Sequence, residues 1–423
     1  MEEFVSAGDI CKMIISALSM SDRRLITHGI RVGYIVSKML EIRGKYEAYE
    51  LAEYSFLAAI HDIGAFKVEA GKDMLAFDVA HPMPHSIYGY LFMKHVSPIG
   101  DRSKVFLYSH VDYQKLANVQ FEGREVAEFI HAAGRFDIFH NSLGDKFKSA
   151  QLRQYEKKKF SRMTLDILDL AIKKYDILEK FSEGEEAYRP ELEDVFNNVI
   201  WSDDEKIQYL KMLVYISGFM DPSRVVSTVA SMIIAEEVAR TIGGFTEDEM
   251  EFLYYGALLH DFGMASVSKS IVEADRKLTE EEQKLFYRHV LLAEYILKQF
   301  MEPEIVSIVS THHERLDGTG FPNHLDATQT NMLEKIMQLA DTASDLTCDR
   351  PYRKAKKKEA VINIITDQLN HNKFNRKVVM AFFNNYDEIM AKVEVKKKET
   401  IEMFDKLEDQ YEKVKLMLMP NGN

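Results

Sequence analysis

Apolar residues recur at three- and four-residue steps through much of this chain, the spacing that places them on one face of a helix. After Thr279, for example, Leu285, Phe286, Val290, Ala293 and Leu297 share one side. Ser202, Thr246 and Thr279 are each followed three residues later by glutamate, and each pair predicts a helix start, because the two side chains satisfy amides of a first turn. Trp201, just ahead of Ser202, is expected to pack as an apolar staple on that helix. Period-two alternation between tight turns is scarce. The pattern predicts an all-α protein.

An internal repeat refines that prediction. Phe56-Leu-Ala-Ala-Ile-His-Asp-Ile-Gly64 matches Tyr255-Gly-Ala-Leu-Leu-His-Asp-Phe-Gly263, 199 residues further on. Each copy reads as an apolar helix ending in His-Asp, with glycine as a left-handed stop. Each is followed by a helix with one histidine (His85 or His289), by another histidine near a helix end (His110 or His313), and by an Ala-rich helix around 134 or 341. Two related helical domains are therefore expected over 1–150 and 206–385, with a helical connector over 151–205 and a C-terminal helix over 386–423. In that last helix Phe404, Leu407, Tyr411, Val414 and Leu418 form a stripe that either packs on its own domain or pairs two chains.

Charge and composition narrow the function. The 423 residues carry 54 basic and 67 acidic side chains, a net charge of −13, which argues against a polymeric nucleic acid as partner and leaves room for a local basic pocket. No apolar run approaches the roughly 20 residues of a membrane helix. The acidic N-terminus does not resemble a secretion signal, and two cysteines, Cys11 and Cys348, cannot build a disulfide framework. A cytoplasmic protein is expected.

The candidate chemistry lies in the second half, in His260-Asp261, His289, His312-His313 and Asp341. Imidazoles and carboxylates together suit manganese, iron or zinc. A carboxylate has two oxygens and can bridge two cations, so Asp261 is the natural shared ligand. Burying six such groups without a metal would strand donors and acceptors. Arg315, Arg350 and Arg353 can either fork onto phosphate or guanine or serve as surface and capping arginines. Asp317, Gly318 and Gly320 belong to a loop that either lets its backbone approach a ligand or simply turns.

His260-Asp-Phe-Gly263, His289, His312-His-Glu-Arg-Leu-Asp-Gly-Thr-Gly-Phe-Pro322 and Ala340-Asp341, followed by Asp349-Arg-Pro-Tyr-Arg353, resemble the HD-GYP family of metal-dependent phosphodiesterases over about residues 220–370. The resemblance implies tandem HD-type helical bundles, the C-terminal one HD-GYP-like, and hydrolysis of a cyclic dinucleotide, mainly cyclic di-GMP, to a linear product. It further implies two divalent ions, iron or manganese, on His260, Asp261, His289, His312, His313 and Asp341, with Asp261, His289, His312 and His313 closest to the chemistry. Substrate contacts are expected from Arg315, Asp317, Gly318, Gly320, Arg350 and Arg353.

Departures from the family pattern set further expectations. The family's histidine on the preceding helix is matched by His28 in the first half, 33 residues before His61, whereas the same step back from His260 reaches Ser227. The lysine that follows His-Asp-x-Gly in the family is Met264 here, and a thioether donates no proton. Phe321 replaces the usual tyrosine. The first half keeps His28, His61, Asp62, His85 and His110, but reads Ser109-His110 for the double histidine and Gly134 for Asp341. It is expected to be a degenerate domain with a structural, regulatory or dimerising role, holding less metal than the second. The homodimer surface, if one forms, falls to this domain or to the C-terminal helix. A catalytically impaired nucleotide sensor or partner-binding scaffold, and a phosphomonoesterase acting on linear nucleotides, remain the competing functional readings.

Overall fold

The computed structural model describes residues 4–21, 23–68, 83–218, 221–272, 274–350 and 353–418. Among them every named element is an α- or 3₁₀-helix, with only isolated bridges between extended residues. The expected starts are realised as reciprocal caps: Thr246 with Glu249, Thr279 with Glu282, and Ser202 with Glu205. Trp201 is buried, but it stacks on Tyr209 at 3.8 Å and meets the edge of Phe56, one turn beyond a staple's usual partner.

The chain divides into two compact units, one built mainly from Leu210–Asp405 and the other from Val5–Tyr209 with the chain beyond Lys406. In the first, hereafter the C-terminal unit, helices Pro222–Ile242 and Met332–Thr347 pack together. Ala230, Ala340 and Ala343 are fully buried, and such small side chains permit a close approach. Asp221 caps the first of these helices by accepting from the Ser223 amide, and Pro222 occupies its first turn, where no amide partner is needed. Helix Glu280–Leu297 buries His289, Val290, Ala293, Ile296 and Leu297. Leu285, expected on that face, is 44% exposed because it lies one turn before the helix reaches the core.

In the N-terminal unit the corresponding elements are Arg23–Arg43, Ala48–Ala59, Met83–Val96 and Arg124–Leu143. Residues 151–205, expected as a connector, fold into this unit. The buried Glu128 carboxylate accepts from the Ser161 amide (2.7 Å) and the Thr164 hydroxyl (2.8 Å), and Phe160 and Phe196 are fully buried. The final helix runs Tyr386–Leu418. Its stripe is used within the chain: Phe404 stacks on Tyr215 in the C-terminal unit, and Tyr411 stacks on Tyr88 in the N-terminal unit. Among the described residues no helix is long and apolar enough to cross a membrane.

Candidate metal centre

The His-Asp pair of the C-terminal unit sits where helix Glu247–Leu259 ends. Gly263 follows, and its role differs from the expected left-handed stop: its φ is not positive. A β-carbon there would lie 2.0 Å from the His289 carbonyl oxygen, so glycine lets the His-Asp turn and helix Glu280–Leu297 touch backbone to backbone. Gly64 does the same in the N-terminal unit, 2.0 Å from the His85 carbonyl oxygen. The glycine thus brings the third ligand to the dyad.

All six predicted ligands converge. His260, Asp261 and Asp341 form one group of candidate ligands, and His289, His312 and His313 form another. Asp261 faces both: Oδ2 lies 3.5 Å from His260 Nε2, while Oδ1 lies 3.9 Å from His289 Nε2 and 4.0 Å from His312 Nε2. Asp341 reaches His260 Nε2 at 3.7 Å and His313 Nδ1 at 3.4 Å. His260, His289 and His312 are buried, whereas the Asp261 and Asp341 side chains are 28% and 15% exposed and mark the mouth.

The hydrogen bonds fix the tautomers. His260, His289 and His312 each place Nδ1 on the carbonyl three residues back, Ala257, Phe286 and Val309, at 2.6–2.8 Å. A carbonyl only accepts, so Nδ1 carries the proton and Nε2 presents a lone pair inward. His289 and His312 therefore aim two lone pairs at each other across 3.4 Å. Protonation does not relieve this, since burial and the neighbouring His313 push His289 down to about 4, and burial holds His312 well below the ordinary range. A cation between them does, and the donor set fits one. At the other end burial opposes charging His260, yet Asp261 and Asp341 win and raise it to about 9. Burial alone would raise the Asp341 carboxyl, but His313 and His260 hold it well below the carboxylate range.

The residues expected to contact substrate all have interactions or close packing within the protein. Arg315 is half-buried, donates to the Glu314 carbonyl (2.8 Å) and the Thr342 hydroxyl (3.1 Å), and lies over Phe374. Arg350 donates to Ser227 Oγ at 3.0 Å and pairs with Asp345, as does Arg353. Asp317 accepts from Thr319, Gly318 makes a turn at φ 73°, and Gly320 packs where a β-carbon would lie 2.3 Å from the Arg315 nitrogen. The three arginines thus have partners within the protein, while Asp317 in the loop is exposed.

Sequence reasoning overlooked Glu314. Its carboxylate is fully buried and accepts from the amides of Asn323 (2.6 Å) and Leu325 (3.0 Å), folding the loop back beside His313. The signal was an acidic residue directly after two histidines. Phe321 lies between Tyr287, stacked at 3.8 Å, and the His313 ring at 4.6 Å, so it holds a ligand in place. Met264 packs with Val267 and Ile271 in a small apolar cluster.

The N-terminal unit gathers its candidates around Asp62. His61, His85 and His110 place Nε2 at 3.1–3.3 Å from this carboxylate, and His28 Nε2 lies at 3.9 Å. Two three-residue groups result, His28-His61-Asp62 and Asp62-His85-His110, which share Asp62 and so bring together five candidate ligands against six in the other unit. Asp137, one turn after Gly134, accepts from His28 Nδ1 at 2.7 Å.

Comparison with known proteins agrees with this geometry. The family model described as HD domain matches residues 220–378. The chain is 22% identical over 381 residues to the 3'3'-cGAMP-specific phosphodiesterase 1 of Vibrio cholerae, covering 85% of this chain and 87% of that protein. It is 30% identical over 159 residues to a cyclic di-GMP phosphodiesterase of Thermotoga maritima, covering 37% of this chain but only 42% of the relative. The crystal structure of a cyclic GMP-AMP specific phosphodiesterase from V. cholerae superposes with a TM-score of 0.57 at 15% identity, over 90% of this chain and 97% of that one, and so shares the fold. The matched stretch is the one whose helices carry the Asp261 ligand groups, and it is this stretch of the chain that is similar to an HD domain.

Proposed function

We propose that the chain hydrolyses a cyclic dinucleotide to a linear one at the centre around Asp261, acting in the cytoplasm. The observation that carries this reading is the placement of Asp261, whose two oxygens address the His260 and the His289-His312 groups separately. The substrate class follows from relatives named for hydrolysis of 3'3'-cGAMP and of cyclic di-GMP. Two divalent ions, iron or manganese, held by His260, Asp261 and Asp341 and by His289, His312 and His313, would supply Lewis acidity and an acidified water.

The chain's own residues supply the geometry. Helix carbonyls keep three imidazoles in one tautomer, Phe321 and Tyr287 fix the His313 ring, and Glu314 holds the loop that carries it. No serine or cysteine nucleophile is required. The test is turnover of cyclic di-GMP, 3'3'-cGAMP and their linear products with Mn²⁺ or Fe²⁺. Hydrolysis of a cyclic substrate, lost in His312→Ala/His313→Ala, is the expected result.

One observation favours a second reading, a nucleotide sensor that binds without turnover. Met264 offers no proton, and it is packed among apolar side chains rather than facing a leaving group. Metallated protein that binds a cyclic dinucleotide and leaves it intact would decide for the sensor.

A further inference from the structure

The N-terminal unit keeps the ligands of a metal centre but has lost one carboxylate. Position 134, facing His28, is glycine: a β-carbon there would meet only the His28 ring, at 3.8 Å from Nε2. A β-carbon at this position therefore meets only ordinary van der Waals contact.

The four imidazoles around Asp62 come from separate helices or helix ends, and two of them are locked. His61 Nδ1 donates to the Ala58 carbonyl at 2.8 Å and His28 Nδ1 to Asp137 at 2.7 Å, so both turn an Nε2 lone pair toward the carboxylate. Lone pairs and a carboxylate facing one another make an electrostatic cradle for a cation.

Beside it lies a cavity of about 410 Å³, the size range of a nucleotide-class ligand site. His110 belongs both to the cluster and to the cavity wall. Arg135, next to Gly134, lines the same cavity and is only 7% exposed, and among the described residues it makes no hydrogen bond or ion pair. A buried guanidinium with no counter-charge among the described residues is costly to keep and is the group best suited to fork onto phosphate. Lys115 adds positive charge at the wall, where Lys159 is offset by Asp112 at 4.0 Å. Charge counting points the same way: the other unit offers two carboxylates to its cations, and this one offers Asp62 alone with an arginine alongside.

We propose that the N-terminal unit is a second ligand site, in which the Asp62 cluster holds a divalent cation and a phosphate-bearing small molecule completes it through Arg135, taking the place left by Gly134. The site is independent of turnover at Asp261, so it does not rest on the catalytic reading.

The test uses the full chain carrying Asp261→Ala/His312→Ala, which removes the other unit's centre. Equilibrated with Mn²⁺ and desalted, it is expected to keep at least one ion per chain by elemental analysis, lost when Asp62→Asn is added. Calorimetric titration of the loaded protein with inorganic phosphate, GMP and cyclic di-GMP in separate arms is expected to show binding of at least one. That binding should weaken tenfold or more in Arg135→Gln and disappear in Gly134→Asp, which supplies the carboxylate internally and keeps the metal. The strongest arm identifies the ligand as a free anion, a mononucleotide or a cyclic dinucleotide. Absence of Mn²⁺ from a folded Asp261→Ala/His312→Ala chain overturns the proposal, as does anion binding indifferent to both Arg135→Gln and Gly134→Asp. Should that background not fold, Mn²⁺ stoichiometry in the wild-type chain against Asp62→Asn decides: an unchanged ratio overturns the proposal, and a loss of one or more ions per chain supports it.

Discussion

The two units solve one geometric problem with the carboxylate in different places. In the C-terminal unit Asp341 points at the ligand cluster and Ser344, one turn on, meets Ser227 at 3.2 Å. In the N-terminal unit Gly134 stands for the first of these and Asp137 for the second, where it meets His28 at 2.7 Å. A His-Asp pair in one unit thus corresponds to a Ser-Ser pair in the other, and the acid has moved by one helical turn from the face of the cluster to its back. A ligand carboxylate facing the ions adds charge and a coordinating oxygen, whereas one behind a histidine fixes and strengthens a ligand already present. Loss of a ligand in a repeat is therefore not equivalent to loss of a site.

The comparison is sharpest at its shared element. Asp261→Ala is expected to empty both ligand groups of the C-terminal unit and abolish hydrolysis, an effect beyond the roughly 10–100-fold typical of outer partners. Metal analysis and turnover on the same preparation check it. Retained stoichiometric metal would show that the carboxylate is not shared.

Next in size are the paired glycines. Gly263→Ala and Gly64→Ala each force a β-carbon onto a backbone carbonyl at 2.0 Å, and each is expected to cost about 3 kcal/mol or more in chemical denaturation. Similar losses in both units would show that the requirement is architectural. A mild effect at Gly64 alone would mean that the N-terminal turn has slack.

Glu314→Ala is expected to lose about 2 kcal/mol, since two loop amides lose a buried acceptor, and to raise KM or lower kcat through a displaced His313. Glu314→Gln should recover part of the loss, because its amide oxygen still accepts. Thermal unfolding with steady-state kinetics reads both.

The smallest effects distinguish the two carboxylate positions. Asp137→Ala should weaken Mn²⁺ binding by the N-terminal unit about 10–100-fold, whereas Ser344→Ala should change metal binding in the other unit by less than about threefold. Calorimetry on each variant checks the contrast, and equal effects would erase the distinction drawn between the units.

Much of this was legible in the sequence. Helical periodicity and the Thr246 and Thr279 caps gave the all-α class, and the repeated His-Asp-x-Gly gave the duplication, because both arise from local chemistry. The six ligands were legible because imidazole and carboxylate are scarce in buried helices unless they are put to use. What stayed hidden depends on contacts between distant segments. The fate of Arg315, Arg350 and Arg353 is decided by partners such as Thr342 and Ser227, which no spacing rule connects to them. The pairing of Asp137 with His28 joins two distant helices, which helical phase alone does not reveal. Glycine 263 was misread for the same reason, since a left-handed turn and a close backbone approach look alike in sequence.

That glycine also bears on how genomes are read. Alanine, the simplest replacement at position 64 or 263, is barred by a carbonyl oxygen and not by chemistry. Selection for a folded chain is therefore enough to preserve the residue whether or not its copy hydrolyses anything. Counting His-Asp-x-Gly signatures in a proteome counts scaffolds before it counts working enzymes.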